Sequence, residues 1–177
     1  AKLFMDVLPL VKDKKWEESI GLIESKLEEV DPMTLSILGL SYFHLNKVDE
    51  LIALEKARPD IEELKTLVVK KRYQESVERM QDGDSASAYA TLKPVLLSNE
   101  NEARINFWGG LMALQENLVE EADQWFTKST KLQPKEDLGH LLLYKMHKSE
   151  DPKRSKKEKA EFLKNKAKSA TFKKLLD

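Results

Sequence analysis

One eight-residue pattern constrains this chain more than any other. Leu35-x-x-Leu38-Gly39-x-x-Tyr42 places four residues at i, i+3, i+4 and i+7, which is one face of an α-helix. Gly39 on that face costs about 1 kcal/mol of helix propensity against Ala, a loss offset where a second helix crosses closely. A short turn at Asn46-Lys47 leads into Val48-Asp49-Glu50-Leu51, the start of a second helix that Pro59 cuts short. Related helix–turn–helix units recur along the chain. Their aligned positions Ser19, Leu51, Ala88 and Ala122 are separated by 32, 37 and 34 residues. A helical hairpin of this kind cannot bury its apolar face alone, so copies must stack into a continuous core.

The better-formed copies are the second and the fourth. In the fourth, Glu121-Ala122-x-x-x-Phe126 is followed by Pro134, and Gly110 falls on the preceding helix. Trp16-Glu17-Glu18-Ser19 through Asp31-Pro32 forms a weaker first copy. Gly83-Asp84 with Ala88, Leu92 and Val95 forms a weaker third, its second helix interrupted by Pro94. Residues 1–150 therefore resemble the tetratricopeptide repeat family. Leu35 stands where that family usually has Trp, and Asn117 where its turn usually has Gly. The resemblance implies an all-α fold, a right-handed α-solenoid of antiparallel helix pairs, with Leu35, Leu38, Gly39, Tyr42, Gly110, Ala122, Phe126 and Pro134 at its structural positions. The expected helices are 2–13, 16–30, 33–45, 48–57, 61–81, 85–98, 102–115, 118–131, 136–148 and 154–175. Their ends follow stop-and-start signals such as Asp31-Pro32, Pro59-Asp60 and Ser98-Asn99.

In this family the first helix of each repeat lines a concave groove. The resemblance puts Met33, Ser36, Leu40, Phe43 and His44 there from the second repeat. From the fourth it puts Arg104, Phe107, Leu111, Leu114 and Gln115. These are mostly apolar, and an aromatic anchor buries about 150–250 Å². The implied partner-binding residues are Leu40, Phe43, Phe107, Leu111 and Leu114. The same residues are also what a tightly curled core would use, because helix-spaced apolar residues are core by default. Family members that clamp an acidic chaperone tail use Lys, Asn and Arg in the groove. The matching positions here are Ser36, Leu40, Phe107, Leu111 and Gln115, so such a clamp is not expected.

The formal charge of −1 hides an asymmetry. Residues 1–152 carry 20 Lys and Arg against 28 Asp and Glu, a net of −8, whereas 153–177 carry 10 against 3, a net of +7. The sequence thus divides into a repeat array over 1–152 and a basic terminal helix over 153–177. Ser155-x-x-Glu158 reads as a capping box opening that helix. Ala160, Phe162, Leu163, Ala167, Ala170, Phe172, Leu175 and Leu176 form its apolar stripe. A capping helix that closes the array accounts for this pattern. Electrostatic contact with nucleic acid or an anionic surface is the competing reading.

Nothing in the sequence assembles a catalytic centre. The absence of Cys excludes disulfides, thiol nucleophiles and thiolate metal sites. His44, His140 and His147 lack the H-E-x-x-H spacing, and Gly109-Gly110 lies inside a helix rather than in a phosphate loop. Packing is the reading favoured for Trp16, Trp125 and Trp108. No metal or cofactor is expected, and the chain reads as a non-enzyme. There is no run of 18 apolar residues, and a cytoplasmic setting is the expectation. The first residue is Ala1 rather than Met, as in a fragment of a longer or processed protein. The leading function is an adaptor holding a peptide segment of another protein. A holding chaperone for a secreted or membrane-associated client and a nucleic-acid binder are the alternatives.

Overall fold

The computed structural model describes residues 2–98, 100–135, 137–148 and 150–164. Among these there are ten α-helices and no strand: α1 (Lys2–Lys12), α2 (Trp16–Glu24), α3 (Pro32–His44), α4 (Val48–Ala57), α5 (Glu62–Gln81), α6 (Ser85–Leu97), α7 (Ala103–Gln115), α8 (Val119–Leu132), α9 (Asp137–His147) and α10 (Pro152–Lys164). The chain forms two compact units, residues 1–72 and 73–177, which divide within α5.

Four helix pairs reverse direction through the same backbone device. Lys14, Asn46, Gly83 and Asn117 all have positive φ, between 57° and 84°. Each sits just past the end of a first helix, and two backbone bonds close every turn. Lys47 N–H donates to the Tyr42 carbonyl at 2.9 Å and Asn46 N–H to that of Phe43 at 3.3 Å. Lys15 to Leu10, Asp84 to Arg79 and Leu118 to Ala113 repeat the longer bond at 2.8 to 2.9 Å. This pair of bonds satisfies carbonyls that a helix end would otherwise leave open. The turn residues are spaced by the same 32, 37 and 34 residues as the sequence repeat.

In the first unit, Val7, Ile20, Ile23, Leu35, Leu38, Leu51 and Leu64 form a buried core. A β-carbon on Gly39 would fall 2.3 Å from Leu64 Cδ2 and 3.5 Å from Leu51 Cδ1. The missing side chain is what admits α5 to α3. Asp31 caps α3, accepting from the Thr34 backbone N–H at 3.0 Å and the Thr34 hydroxyl at 2.8 Å. These bonds hold its carboxyl below the usual range. Tyr42 is buried and donates to Glu24 at 2.6 Å. Burial, then that carboxylate, push the phenol strongly up.

In the second unit, α7 lies between α6 and α8, with one glycine toward each. A β-carbon on Gly109 would meet Leu96 Cδ1 at 2.6 Å, and one on Gly110 would meet the Phe126 ring at 2.6 Å. Ala122, Phe126, Leu92, Met112 and Leu143 are fully buried around them. Tyr89 donates to Glu121, accepts from Trp125 Nε1 at 2.9 Å, and is pushed up to about 12 by burial and by the carboxylate. Asn106, wholly buried, donates to the carbonyls of Glu100 and Glu102 and fixes the entry to α7.

Two expected boundaries move. α2 ends at Glu24 rather than near 30, and a short 3-10 turn at Leu27–Glu29 follows, with the Ser25 hydroxyl folded back onto the Leu22 carbonyl at 2.8 Å. α10 begins at Pro152, two residues early. Asp151 is its cap, accepting from the Arg154 N–H at 3.1 Å, and proline suits the first helical turn. The expected capping box is therefore corrected: Ser155 is buried inside the helix, and Glu158 pairs elsewhere. α6 runs through Pro94, where Pro94 and Ala90 are both exposed, so water can reach the carbonyl that loses its donor. Of the expected stripe, Ala160 is exposed on α10. Ala167, Ala170, Phe172, Leu175 and Leu176 lie outside the described residues, as do the Phe162 and Leu163 side chains and the expected stop signal at Asn99.

Among the described residues, Lys14 is the one left-handed turn residue that is neither Gly nor Asn. Replacing Lys14 with Asn or Gly should stabilise the fold by about 0.5–1 kcal/mol, raising the thermal midpoint by roughly 1–4 °C. Calorimetry of the two variants checks this. An unchanged or lower midpoint would mean that the lysine turn carries no strain.

Candidate functional site

The candidate site is an apolar groove within the first unit, between α3 and the first half of α5. α3 is apolar nearly all round, as expected of a helix enclosed by neighbours. Thr34, Leu35, Ile37, Leu38, Gly39, Ser41, Tyr42 and Phe43 are all buried. Between its exposed ends, Pro32-Met33 and His44, what remains partly open is the line of Ser36 and Leu40 with the edge of Ile37. Glu62, Glu63, Thr66 and Leu67 face this line from α5 and with it form an open groove of about 520 Å³. Gly39 lies against Leu64 and Leu67 of α5, and Phe43 lies under Lys70 and Lys71. Residue numbers rise together on both sides, so the two helices run in the same direction.

The walls are less polar than their sequence suggests. The Ser36 hydroxyl donates to the Pro32 carbonyl and the Thr66 hydroxyl to the Glu62 carbonyl, both at 3.1 Å. Both hydroxyl donors are used within their own helices. The groove is thereby left with the hydrocarbon of Ile37, Leu40 and Leu67 and the Thr66 methyl.

The sequence-derived groove residues distribute unevenly. Ser36 and Leu40 line the cavity, and Met33 is 62% exposed. Phe43 does not reach the opening. It is buried, with the Lys71 ammonium 4.6 Å and the Lys70 ammonium 5.5 Å from its ring centroid. His44 stacks on Trp16 at 4.3 Å between centroids. Desolvation, then the charges of Lys70, Lys71 and Lys14, hold its imidazole below the usual value. In the second unit Phe107 is half-buried with its ring 5.7 Å from that of Phe126. Leu111 and Leu114 are half-buried on α7, while Arg104 and Gln115 are exposed. Glu62, Glu63, Thr66, Leu67, Lys70 and Lys71 were not among the expected site residues. Their signal was the length of α5, which carries an extra half-helix ahead of the repeat pattern.

Two ionic clusters seat α10 within the second unit. Asp123 of α8 accepts from Arg154 Nη1 at 2.9 Å, from Arg154 Nη2 and from His147 Nε2 at 3.2 Å. Burial raises this carboxyl, but Arg154 and His147 outweigh it and hold it low. His140 is buried between two acceptors: Glu158 lies 2.6 Å from Nδ1 and the Pro134 carbonyl 3.0 Å from Nε2. With acceptors on both sides, the ring satisfies both best as an imidazolium. Burial disfavours that charge, but the Glu158 and Pro134 bonds prevail, and His140 is raised above its ordinary value. Both histidines that share α9 are thus engaged by separate carboxylates.

No protein-family model matches the chain, and no curated protein does. Solved structures do match. A structure of MamA AMB-1 is 16% identical, covers 99% of this chain and 95% of that one, and superposes with a TM-score of 0.54. A double mutant of MamA RS-1 is 18% identical, covers 93% of each chain and has a TM-score of 0.51. At this identity the likeness establishes the fold, which is all-α and TPR-like. No described helix is long and apolar enough to cross a membrane.

A raised His140 value fixes the sign of a pH effect. Its contribution to stability is complete below about pH 6.5, the unfolded value, and is lost as pH climbs through the raised folded value. The unfolding midpoint should fall over that window, and Glu158→Gln should flatten the profile. Denaturant unfolding across pH checks this; an identical slope in the variant would remove the pair from the account.

Proposed function

We propose that this chain is a protein-interaction module without catalytic activity, which holds a short peptide segment of another protein in the α3–α5 groove. The observation that carries this reading is the wall chemistry. Ser36 and Thr66 turn their hydroxyls away, and Leu40 and Leu67 remain half-exposed over a cavity of about 520 Å³. That volume lies within the roughly 300–1,000 Å³ range of clefts that take small ligands, which is also room for a few apolar side chains. Leu40 is the anchor of this reading, and Phe43 supports the wall from beneath. The half-buried stripe of Phe107, Leu111 and Leu114 on α7 is a second apolar surface of the same kind. The likeness to MamA structures supports the fold on which this rests.

The test is selection of short peptides from a random displayed library on the full chain, followed by affinity measurement against Leu40→Asp. A buried anchor position typically contributes about 2 kcal/mol or more, so the selected peptides should bind the variant at least about tenfold more weakly. Circular dichroism should show the helices intact. Equal affinity for wild type and a folded Leu40→Asp variant would end this reading.

A further inference from the structure

The groove has a charge order as well as an apolar wall. Its first end is marked by Glu62 and Glu63, both exposed. Its middle is Leu40 opposite Thr66 and Leu67. Beyond its far end, about one turn further along α5 than Thr66 and Leu67, lie Lys70 and Lys71, whose ammonium groups sit over the buried Phe43 ring. The acidic and basic pairs are eight residues apart on one helix, which is about 12 Å, or three to four residues of extended peptide.

The α5 N-terminus opposes the acidic end only partly, because a helix end carries about half a unit of positive charge against two carboxylates. Lys65 approaches Glu62 at 3.9 Å, but both side chains are more than half exposed, so that pair adds little. At the far end α5 continues to Gln81 and supplies no terminal partial charge.

We propose that the ligand of this groove is a peptide segment with two or three apolar residues flanked by basic residues at one end and acidic residues at the other. Its basic end lies at Glu62 and Glu63, and its acidic end at Lys70 and Lys71. This rests on the groove being a peptide site. It adds the composition and the direction of what sits there.

Three capped, fluorescent heptapeptides sharing a Leu-Ala-Leu centre test it on the full chain. One carries Lys-Lys before the centre and Glu-Glu after it, one carries lysine pairs at both ends, and one carries glutamate pairs at both ends. The mixed peptide should bind tightest, by about three- to tenfold over either other, as expected of paired exposed charges. The margin should shrink as salt rises. Glu62→Lys/Glu63→Lys should transfer the preference to the peptide with glutamate at both ends. The milder Glu62→Gln/Glu63→Gln, which keeps the helix start neutral, should abolish the advantage of the mixed peptide over the all-glutamate one.

If wild type binds all three equally and Leu40→Asp weakens all three, the charge order is wrong while the groove reading stands. If none binds, or if Leu40→Asp changes nothing, both fall. If sedimentation shows a dimer that Leu40→Asp dissociates, a second copy occupies the groove and the proposal is overturned.

Discussion

Close passage of one helix over another, at positions where a side chain is missing, is the constraint from which the rest of this structure follows. Gly39 lets Leu64 occupy the space of a β-carbon, and Gly110 does the same for the Phe126 ring. Elsewhere the corresponding places hold Val7 and Ser76, both fully buried. The spacing of these four places is 32, 37 and 34 residues, identical to that of the left-handed turn residues. Where a glycine stands at this place, a fixed seven residues ahead of the reversal point, the helix that passes over it has little freedom in where it crosses. Side chains filling the space around the crossing then supply the apolar burial that favours folding.

Much of this was legible because it rests on local rules. Asp31-Pro32 announced a helix start, and the Asp31 cap is made; the helix placed after Gly83-Asp84 is there too, with Asp84 as its cap. Asn46 and Asn117 tolerate positive φ better than most residues, so the turns were readable without coordinates. Lys14 gives no such signal and was found only from the backbone. The groove was half legible. Ser36 and Leu40 follow from the repeat pattern on α3, but the facing wall does not. α5 has 20 residues, and the pattern aligns with its second half, around Ser76. The wall belongs to its first half, which the alignment passes over.

Phe43 shows a further limit. Its place beside the signature residues marks it as groove-facing, yet two lysines one helix away lie over its ring. Attraction between an ammonium and an aromatic face depends on the arrival of a distant segment, and no local pattern encodes that. The clusters around Asp123 and His140 are similar. Asp123 and Arg154 are 31 residues apart, and His140 and Glu158 are 18 apart. Their partnership is set by how α8, α9 and α10 stack. The apparent capping box at Ser155 misled because the same residues satisfy the pattern while serving α9 instead.

The inward-turned hydroxyls of Ser36 and Thr66 carry one more consequence. Between the charged ends, the stretch of Ile37, Leu40 and Leu67 has no free hydroxyl donor to leave stranded, so it imposes little penalty on a guest side chain that lacks a polar partner. Along this apolar middle it discriminates by bulk, where one methylene changes binding by only about 10- to 200-fold, and only the charged ends set direction. Such a cleft is tolerant of variation in its guests. A mutation that freed either hydroxyl from its helix would make it choosier rather than merely weaker.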